Sequence, residues 1–328
     1  MLIDSYGRSI TYLRISVTDR CNFRCLYCVP EAGVQWQEQS DLLTADEIAR
    51  ITEAAATGGV QSVRLTGGEP LVRPDIVKIV GKIASIPGII DVSLTTNAML
   101  LDKLAHPLAD AGLTRVNISL DTLDPEKFRR ITRGGRLDRL WHGINAAEQA
   151  GLGPIKLNTV VVNGLNSNEL PDLPRLTLEH SWHVRFIELM PLGNSQTWGK
   201  DYPESDQRYL SVQQMHLLLS DLELQPTSAP TSNGPARTFR CSGAMGTIGF
   251  ISPVGDHFCT SCNRLRLTAD GFLRPCLLLD REVDIRDALK AGAPLLPLIE
   301  QAVQQKPKGH ELSTNHFPEL RRMAQIGG

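Results

Sequence analysis

The chain has 328 residues, of which 41% are hydrophobic, 21% charged and 5% aromatic; 34 Lys and Arg face 36 Asp and Glu. That length suits about two domains of ~150 residues or one α/β barrel, and the composition excludes a disordered or collagen-like chain. A net charge of −2 provides no global field to gather nucleic acid or an anionic membrane, so any anionic ligand must be held by a local group of cations.

In chain order, β-rich runs at 13–18, 62–66, 91–95, 115–120, 156–161 and 183–188 alternate with helical patterns. The first helix, 45–57, opens with Thr44 three residues before Glu47, a capping-box spacing. Others are expected near 74–85, 101–111, 125–150 and 167–179. Strands alternating with helices of this length require a parallel sheet, so the expected fold class is α/β, an incomplete (β/α)6 TIM-type barrel with a C-terminal extension. Period-2 alternation places Ser62, Arg64 and Thr66 on one strand face, and Lys156 with Asn158 on another, opposite apolar residues. With the apolar faces under the helices, Arg64 and Lys156 point into the lumen. Beyond 190 the pattern loosens into a polar stretch at 193–210, a helix at 211–222 and a turn-rich connector at 226–235. Short strands at 237–276 and helices near 283–291 and 296–305 complete the chain. The division expected is 1–225 for the barrel and 226–328 for the extension.

No run approaches the ~20 apolar residues of a membrane span. Asp4 and Arg8 interrupt any apolar leader, so a cytoplasmic setting is expected. Six of the seven cysteines fall into two clusters, which fits thiolates that bind metal in a reducing compartment. Cys21, Cys25 and Cys28 follow the first strand with C-x3-C-x2-C spacing. Three thiolates on one loop suit a 4Fe-4S cubane with one iron left open; a structural zinc site with a remote fourth ligand is the alternative. With Tyr27 as the aromatic before the third cysteine, and Thr66, Gly67, Gly68, Glu69 and Pro70 directly after the second strand, the sequence resembles the radical S-adenosylmethionine (SAM) enzymes. The resemblance implies that the open iron chelates the methionyl amino and carboxylate groups of SAM, and that one electron then yields a 5'-deoxyadenosyl radical.

Cys259, Cys262 and Cys276 form a second triplet, for which a zinc site completed by Cys241 or His257 is the alternative. Arg264 and Arg266 share a strand face between these cysteines, and their fork geometry suits phosphate. With the Asn117–Asp121, Phe186–Pro191 and Ile248–Pro253 segments and the terminal Gly327 and Gly328, the whole set resembles the GTP 3',8-cyclase family of molybdenum cofactor biosynthesis. The resemblance implies conversion of GTP to (8S)-3',8-cyclo-7,8-dihydroguanosine 5'-triphosphate with two 4Fe-4S clusters and SAM. Cys21, Cys25 and Cys28 would hold the SAM cluster, with Tyr27, Gly68, Ser119 and Met190 around SAM. Cys259, Cys262 and Cys276 would hold an auxiliary cluster. Arg14, Arg64, Thr95, Lys156, Arg185, Arg264 and Arg266 would surround GTP, the last two also serving catalysis, and the Gly-Gly end would reach the site. Arg185 shares its strand face with Ile187 and Leu189, which leaves its direction open. Cys241 has no family role. The implied partners are GTP, an electron donor such as flavodoxin or ferredoxin, and cyclic pyranopterin monophosphate synthase by product transfer; a homodimer stays open. A peptide-modifying maturase of the radical SAM type and a metal-stabilised scaffold are the competing readings.

Overall fold

The computed structural model describes the chain apart from residues 31–32, 191–197, 200, 230–233, 311, 313–320, 322 and 327–328. The expected loop at 193–210, connector at 226–235 and Gly327-Gly328 end therefore lie wholly or partly outside the described residues. Strands β1 (Tyr12–Ser16), β2 (Ser62–Thr66), β3 (Asp91–Thr96), β4 (Arg115–Ser119), β5 (Lys156–Val161) and β6 (His183–Glu188) are the six expected ones. Between them run α1 (Ala45–Thr57), α2 (Ile76–Ala84), α3 (Leu101–Asp110), α4 (Pro125–Thr132), α5 (Leu137–Gln149) and the single turn α6 (Leu176–Glu179). All six strands pair in parallel, in sequence order.

The capping box forms: Glu47 N–H donates to Thr44 Oγ1 at 3.2 Å and Thr44 N–H to the Glu47 carboxylate at 2.8 Å, worth about 1 kcal/mol to α1. The single helix expected over 125–150 is instead two. Arg133 and Gly134 adopt left-handed φ of 53° and 129°, which ends α4 and turns the chain into α5. Likewise 167–179 is two 3-10 turns and one α turn, because Pro171 and Pro174 remove helical donors.

Past α7 (Val212–Leu218), the C-terminal region supplies strands to both edges of the barrel sheet. On one edge, β7 (Gln225–Pro226), β8 (Arg237–Arg240) and β9 (Thr247–Ile251) continue from β6, with β9 parallel to it. On the other, β10 (Arg264–Leu267) lies parallel to β1, followed by antiparallel β11 (Phe272–Arg274) and β12 (Val283–Asp284). The order is β12-β11-β10-β1-β2-β3-β4-β5-β6-β9-β8-β7, so eight consecutive strands run parallel around the lumen. Helices α8 (Arg286–Lys290), α9 (Leu296–Gln304) and α10 (Met323–Ile326) complete the described chain.

One register row decides which side chains reach the lumen. Leu265, Leu13, Val63 and Val92 are Cα partners across four strands and are buried in the core shared with the helices. Each such side chain contributes about 1.5–3 kcal/mol by leaving water. The next row, Arg266, Arg14, Arg64, Ser93 and Arg115, must then point to the opposite face.

Candidate functional site at the two ends of the barrel lumen

The loop after β1 carries Cys21, Cys25 and Cys28 to the C-terminal mouth, where all three line an open cavity of about 220 Å³. Tyr27, Gly68, Ser119 and Met190 line the same cavity, which brings the expected SAM-side residues together, and Thr95, expected on the GTP side, lines it too. Gly67 and Gly68 sit where no side chain fits: a Cβ on Gly68 would lie 2.3 Å from the Arg20 carbonyl oxygen, and one on Gly67 2.2 Å from that of Thr18. This close packing of the second βα turn on the cysteine loop is the reason for the glycine pair. Glu69 accepts from Thr96 Oγ1 (2.7 Å), Asn97 N–H (2.7 Å) and Leu71 N–H (3.1 Å), and burial pushes its carboxyl up to about 7 against those donors. Tyr27 donates its hydroxyl to Asp121 at 2.6 Å, while burial pushes the Asp121 carboxyl up to about 6.

The thiols fit an iron-sulfur group by donor chemistry. Burial pushes Cys21 up to about 12 and Cys28 up to about 11, so the protein itself does not make thiolates here; a bound cationic centre does so by coordination. Alone, this pocket is a costly place for three sulfur anions.

Below the mouth lies a layer of buried cations. Arg14 neighbours Arg266 on one side and Arg64 on the other; strands stand ~4.8 Å apart, so three guanidinium groups share one wall. Arg64 donates to Ser93 Oγ at 3.3 Å and lies over the Tyr12 ring at 5.4 Å. Across the lumen Arg185 donates to Asn117 Oδ1 at 2.6 Å, which settles its direction: it joins the cations. Ile187 and Leu189 also line the cavity, so that strand face is polar at its base and apolar at its mouth. Lys156, His183 and Arg185 line a recess toward the β8–β9 edge. Burial and then mutual repulsion set the charges: Lys156 is pushed down to about 6 by burial and by Arg185, Arg115 and Arg64, and Arg185 to about 9 by burial, Arg64 and Arg115. Burial and Arg264 take Arg266 down to about 10. Such a layer calls for a polyanion. Buried oxygens without a protein partner, Thr95 Oγ1, Asn158 Oδ1 and Tyr12 Oη, add hydrogen-bonding capacity for a polar ligand.

The second triplet lies at the other end. The carbonyl of Asn263, next to Cys262, accepts from Thr11 and Tyr12 N–H at 3.2 Å each, which fixes Cys262 at the N-terminal end of β1. The two triplets thus belong to opposite ends of β1, a five-residue strand about 16 Å long, with the arginine row between them. Arg264 stands between its strand and the Phe258 ring, 4.8 Å away. His257 and His310 offer nitrogens that lie with Cys259 Sγ within a 4.8 Å group; Cys241 is buried and touches Thr177 Oγ1 at 4.0 Å.

Sequence reasoning overlooked Arg115, Asn117, His183, Tyr12 and Lys306. The first two follow from the alternation of β4, which puts Arg115, Asn117 and Ser119 on one face; Tyr12 and His183 lie at strand starts, where alternation is weakest. Arg115 is held by Asp91 at 2.5 Å.

A partial parallel barrel with a cysteine triplet at its mouth defines a radical SAM protein, and the Radical SAM superfamily model matches residues 15–176, followed by Molybdenum Cofactor Synthesis C over 182–312. The chain belongs to the GTP 3',8-cyclase family. It is 47% identical over 328 residues to the GTP 3',8-cyclase of Moorella thermoacetica, covering 99% of both chains, and 48% identical over 333 residues to that of Heliobacterium modesticaldum, covering all of both. The fold is similar to Streptococcus suis SuiB bound to S-adenosylmethionine, with a TM-score of 0.62, 18% identity and coverage of 89% of this chain and 68% of that one. Membership of the superfamily brings SAM and iron-sulfur clusters as cofactors. Among the described residues, no helix is long and apolar enough to cross a membrane.

Proposed function

We infer that this chain converts GTP to (8S)-3',8-cyclo-7,8-dihydroguanosine 5'-triphosphate, an early step of molybdenum cofactor synthesis. The observation that carries the reading is the row of buried cations between two cysteine triplets, in a chain alike over its whole length to GTP 3',8-cyclases. In this reading Cys21, Cys25 and Cys28 hold the cluster that binds SAM, and Cys259, Cys262 and Cys276 hold the auxiliary one. When bound, SAM and its cluster supply hydrogen-abstracting one-electron chemistry at the mouth.

The chain's own residues bind and orient. Arg14, Arg64, Lys156, Arg185, Arg264 and Arg266 take the triphosphate, so attraction remote from the reacting carbon fixes the ribose toward the mouth. Thr95 and Asn158 offer their buried oxygens to the nucleoside. Tyr27, Gly68, Ser119 and Met190 surround SAM, with the Gly67-Gly68 backbone close to it because no Cβ intervenes. Apolar Ile187, Leu189 and Met323 on the mouth wall exclude water from the reacting carbons. Arg264 and Arg266 also lie beside the auxiliary site, which gives them the closest link between substrate and second cluster. In this reading the barrel (1–225) holds SAM and most of the GTP contacts, and the extension (226–328) adds the auxiliary cluster with Arg264 and Arg266.

The balance is simple: C3' gives up one hydrogen atom, C3' and C8 join, and one electron and one proton are returned, so product and GTP are isomers. A reductant of the flavodoxin or ferredoxin class, release of product to a cyclic pyranopterin monophosphate synthase and a reducing cytoplasmic setting complete the reading. The test is anaerobic incubation of reconstituted protein with SAM, GTP and reductant. Formation of 5'-deoxyadenosine only when GTP is present, with a GTP isomer as product, supports the reading; 5'-deoxyadenosine formation that ignores GTP overturns it. About eight irons per chain accompany two cubanes.

A further inference from the structure

The second triplet is gripped by a cation from the far end of the chain. Lys306, just past the end of α9, is 4% exposed. Its ammonium donates to the Arg264 carbonyl at 2.7 Å, to the Pro275 carbonyl at 2.8 Å and toward Cys262 Sγ at 3.7 Å. Arg264 follows Cys262 by two residues and Pro275 directly precedes Cys276, so one ammonium ties together the backbone of both cysteine segments. An ammonium has three donor protons, and these three acceptors match that number. Arg8 repeats the pattern from the N-terminus. It donates to the Cys259 carbonyl and to the Pro307 carbonyl, each at 2.6 Å, and is held by Asp4 at 2.6 Å. The cysteine segments are thus fixed from outside by two cations that share the 306–308 stretch.

We propose that Lys306 is a positioning residue of the auxiliary iron-sulfur site: its buried ammonium locks the Cys262 and Cys276 segments into one geometry and, by its charge, favours the reduced state of the cluster they hold. The proposal rests on the reading of Cys259, Cys262 and Cys276 as cluster ligands. Reduction adds a negative charge to the cluster, and a positive charge that is itself buried and lies 3.7 Å from Cys262 Sγ stabilises that charge more than one in bulk water would. The charge acts as the field of an ammonium that its three acceptors hold in place. Arg264 and Arg266 act in the same sense, yet both face GTP, whereas Lys306 is committed to the cluster side alone.

The experiment uses the full-length protein, reconstituted anaerobically, with Lys306→Met, Lys306→Gln and Lys306→Arg variants. Iron content and the midpoint potential of each cluster are measured by redox titration followed by electron paramagnetic resonance, with Cys21→Ser/Cys25→Ser/Cys28→Ser protein isolating the auxiliary signal. Lys306→Gln, which keeps donors and loses charge, is expected to make the auxiliary cluster about tenfold harder to reduce, a shift of about 59 mV to lower potential for one electron, with the first cluster unmoved. Lys306→Arg restores most of the shift. Lys306→Met is expected to lose auxiliary iron selectively, dropping from about eight to about four irons per chain. Full iron and unchanged potentials in both Lys306→Met and Lys306→Gln overturn the proposal, as does a shift in Lys306→Arg equal to that in Lys306→Gln. A chain that shows the expected shift but makes no product from GTP leaves the proposal standing and sinks the functional reading instead.

Discussion

Binding of a triphosphate should draw a proton onto Lys156. In the protein alone, burial and the neighbouring Arg185, Arg115 and Arg64 push this amine down to about 6. At pH 8 only about 1% of it is then charged. Phosphate oxygens placed among these groups add counter-charge and return it toward the ordinary lysine value, so the complex takes up close to one proton per GTP. Arg185 at about 9 and Arg266 at about 10 are already mostly charged at this pH and add little, and free GTP has shed its last phosphate proton. The sign follows: the free state holds fewer protons than the complex above pH 6, so affinity falls as pH rises from there toward the restored value. The slope approaches tenfold per pH unit, about 1.4 kcal/mol. Calorimetry of GTP binding at pH 8 in buffers of different ionisation heat measures the uptake directly. Lys156→Arg, whose guanidinium starts about two units higher than an amine, should bind with a smaller uptake and a shallower pH profile. Zero uptake by the unaltered protein, or an equal uptake by Lys156→Arg, would refute this account.

Arg266→Ala should abolish cyclisation while leaving iron content intact, since it removes one member of the arginine row; unchanged GTP-dependent 5'-deoxyadenosine formation would remove that residue from the triphosphate site. Gly68→Ala should lose SAM binding by at least tenfold in equilibrium dialysis, because its methyl would sit 2.3 Å from the Arg20 carbonyl and 2.5 Å from that of Asp19; affinity equal to the unaltered protein would show that the turn relaxes freely. Cys241→Ser should keep all iron and cost about 1–3 kcal/mol of stability in denaturant titration, the price of a hydroxyl placed among apolar neighbours. Loss of iron in that variant would give Cys241 a metal role.

The strands of the barrel were legible because burial on one face and a ligand on the other leave a period of two, clearest in Val63, Arg64 and Leu65. The capping box at Thr44 and Glu47 was legible because it is local, and the cysteine triplets because their spacing is short. What escaped is long-range or a matter of single residues. Nothing in the Arg264–Leu267 segment states that it will pair with β1, some 250 residues earlier. The break after α4 depends on Arg133 accepting a left-handed φ, which its residue type does not announce. Lys306, one cation past the end of an amphipathic helix, reads as a favourable charge at a helix C-terminus, and only the folded chain shows which carbonyls it meets. The direction of Arg185 needed Asn117, a partner on another strand.

Since both β9 and β10 come from the last third of the chain, the ribosome releases a half-finished wall with two raw borders. The six-strand segment is complete at Glu188, and Leu267 follows about 80 residues later, a delay of roughly 4 to 16 s at ordinary elongation rates. For that interval β1 and β6 each expose unpaired main chain, a template for wrong partners. Holdase chaperones should therefore matter more to the yield of this protein during synthesis than to its survival afterwards.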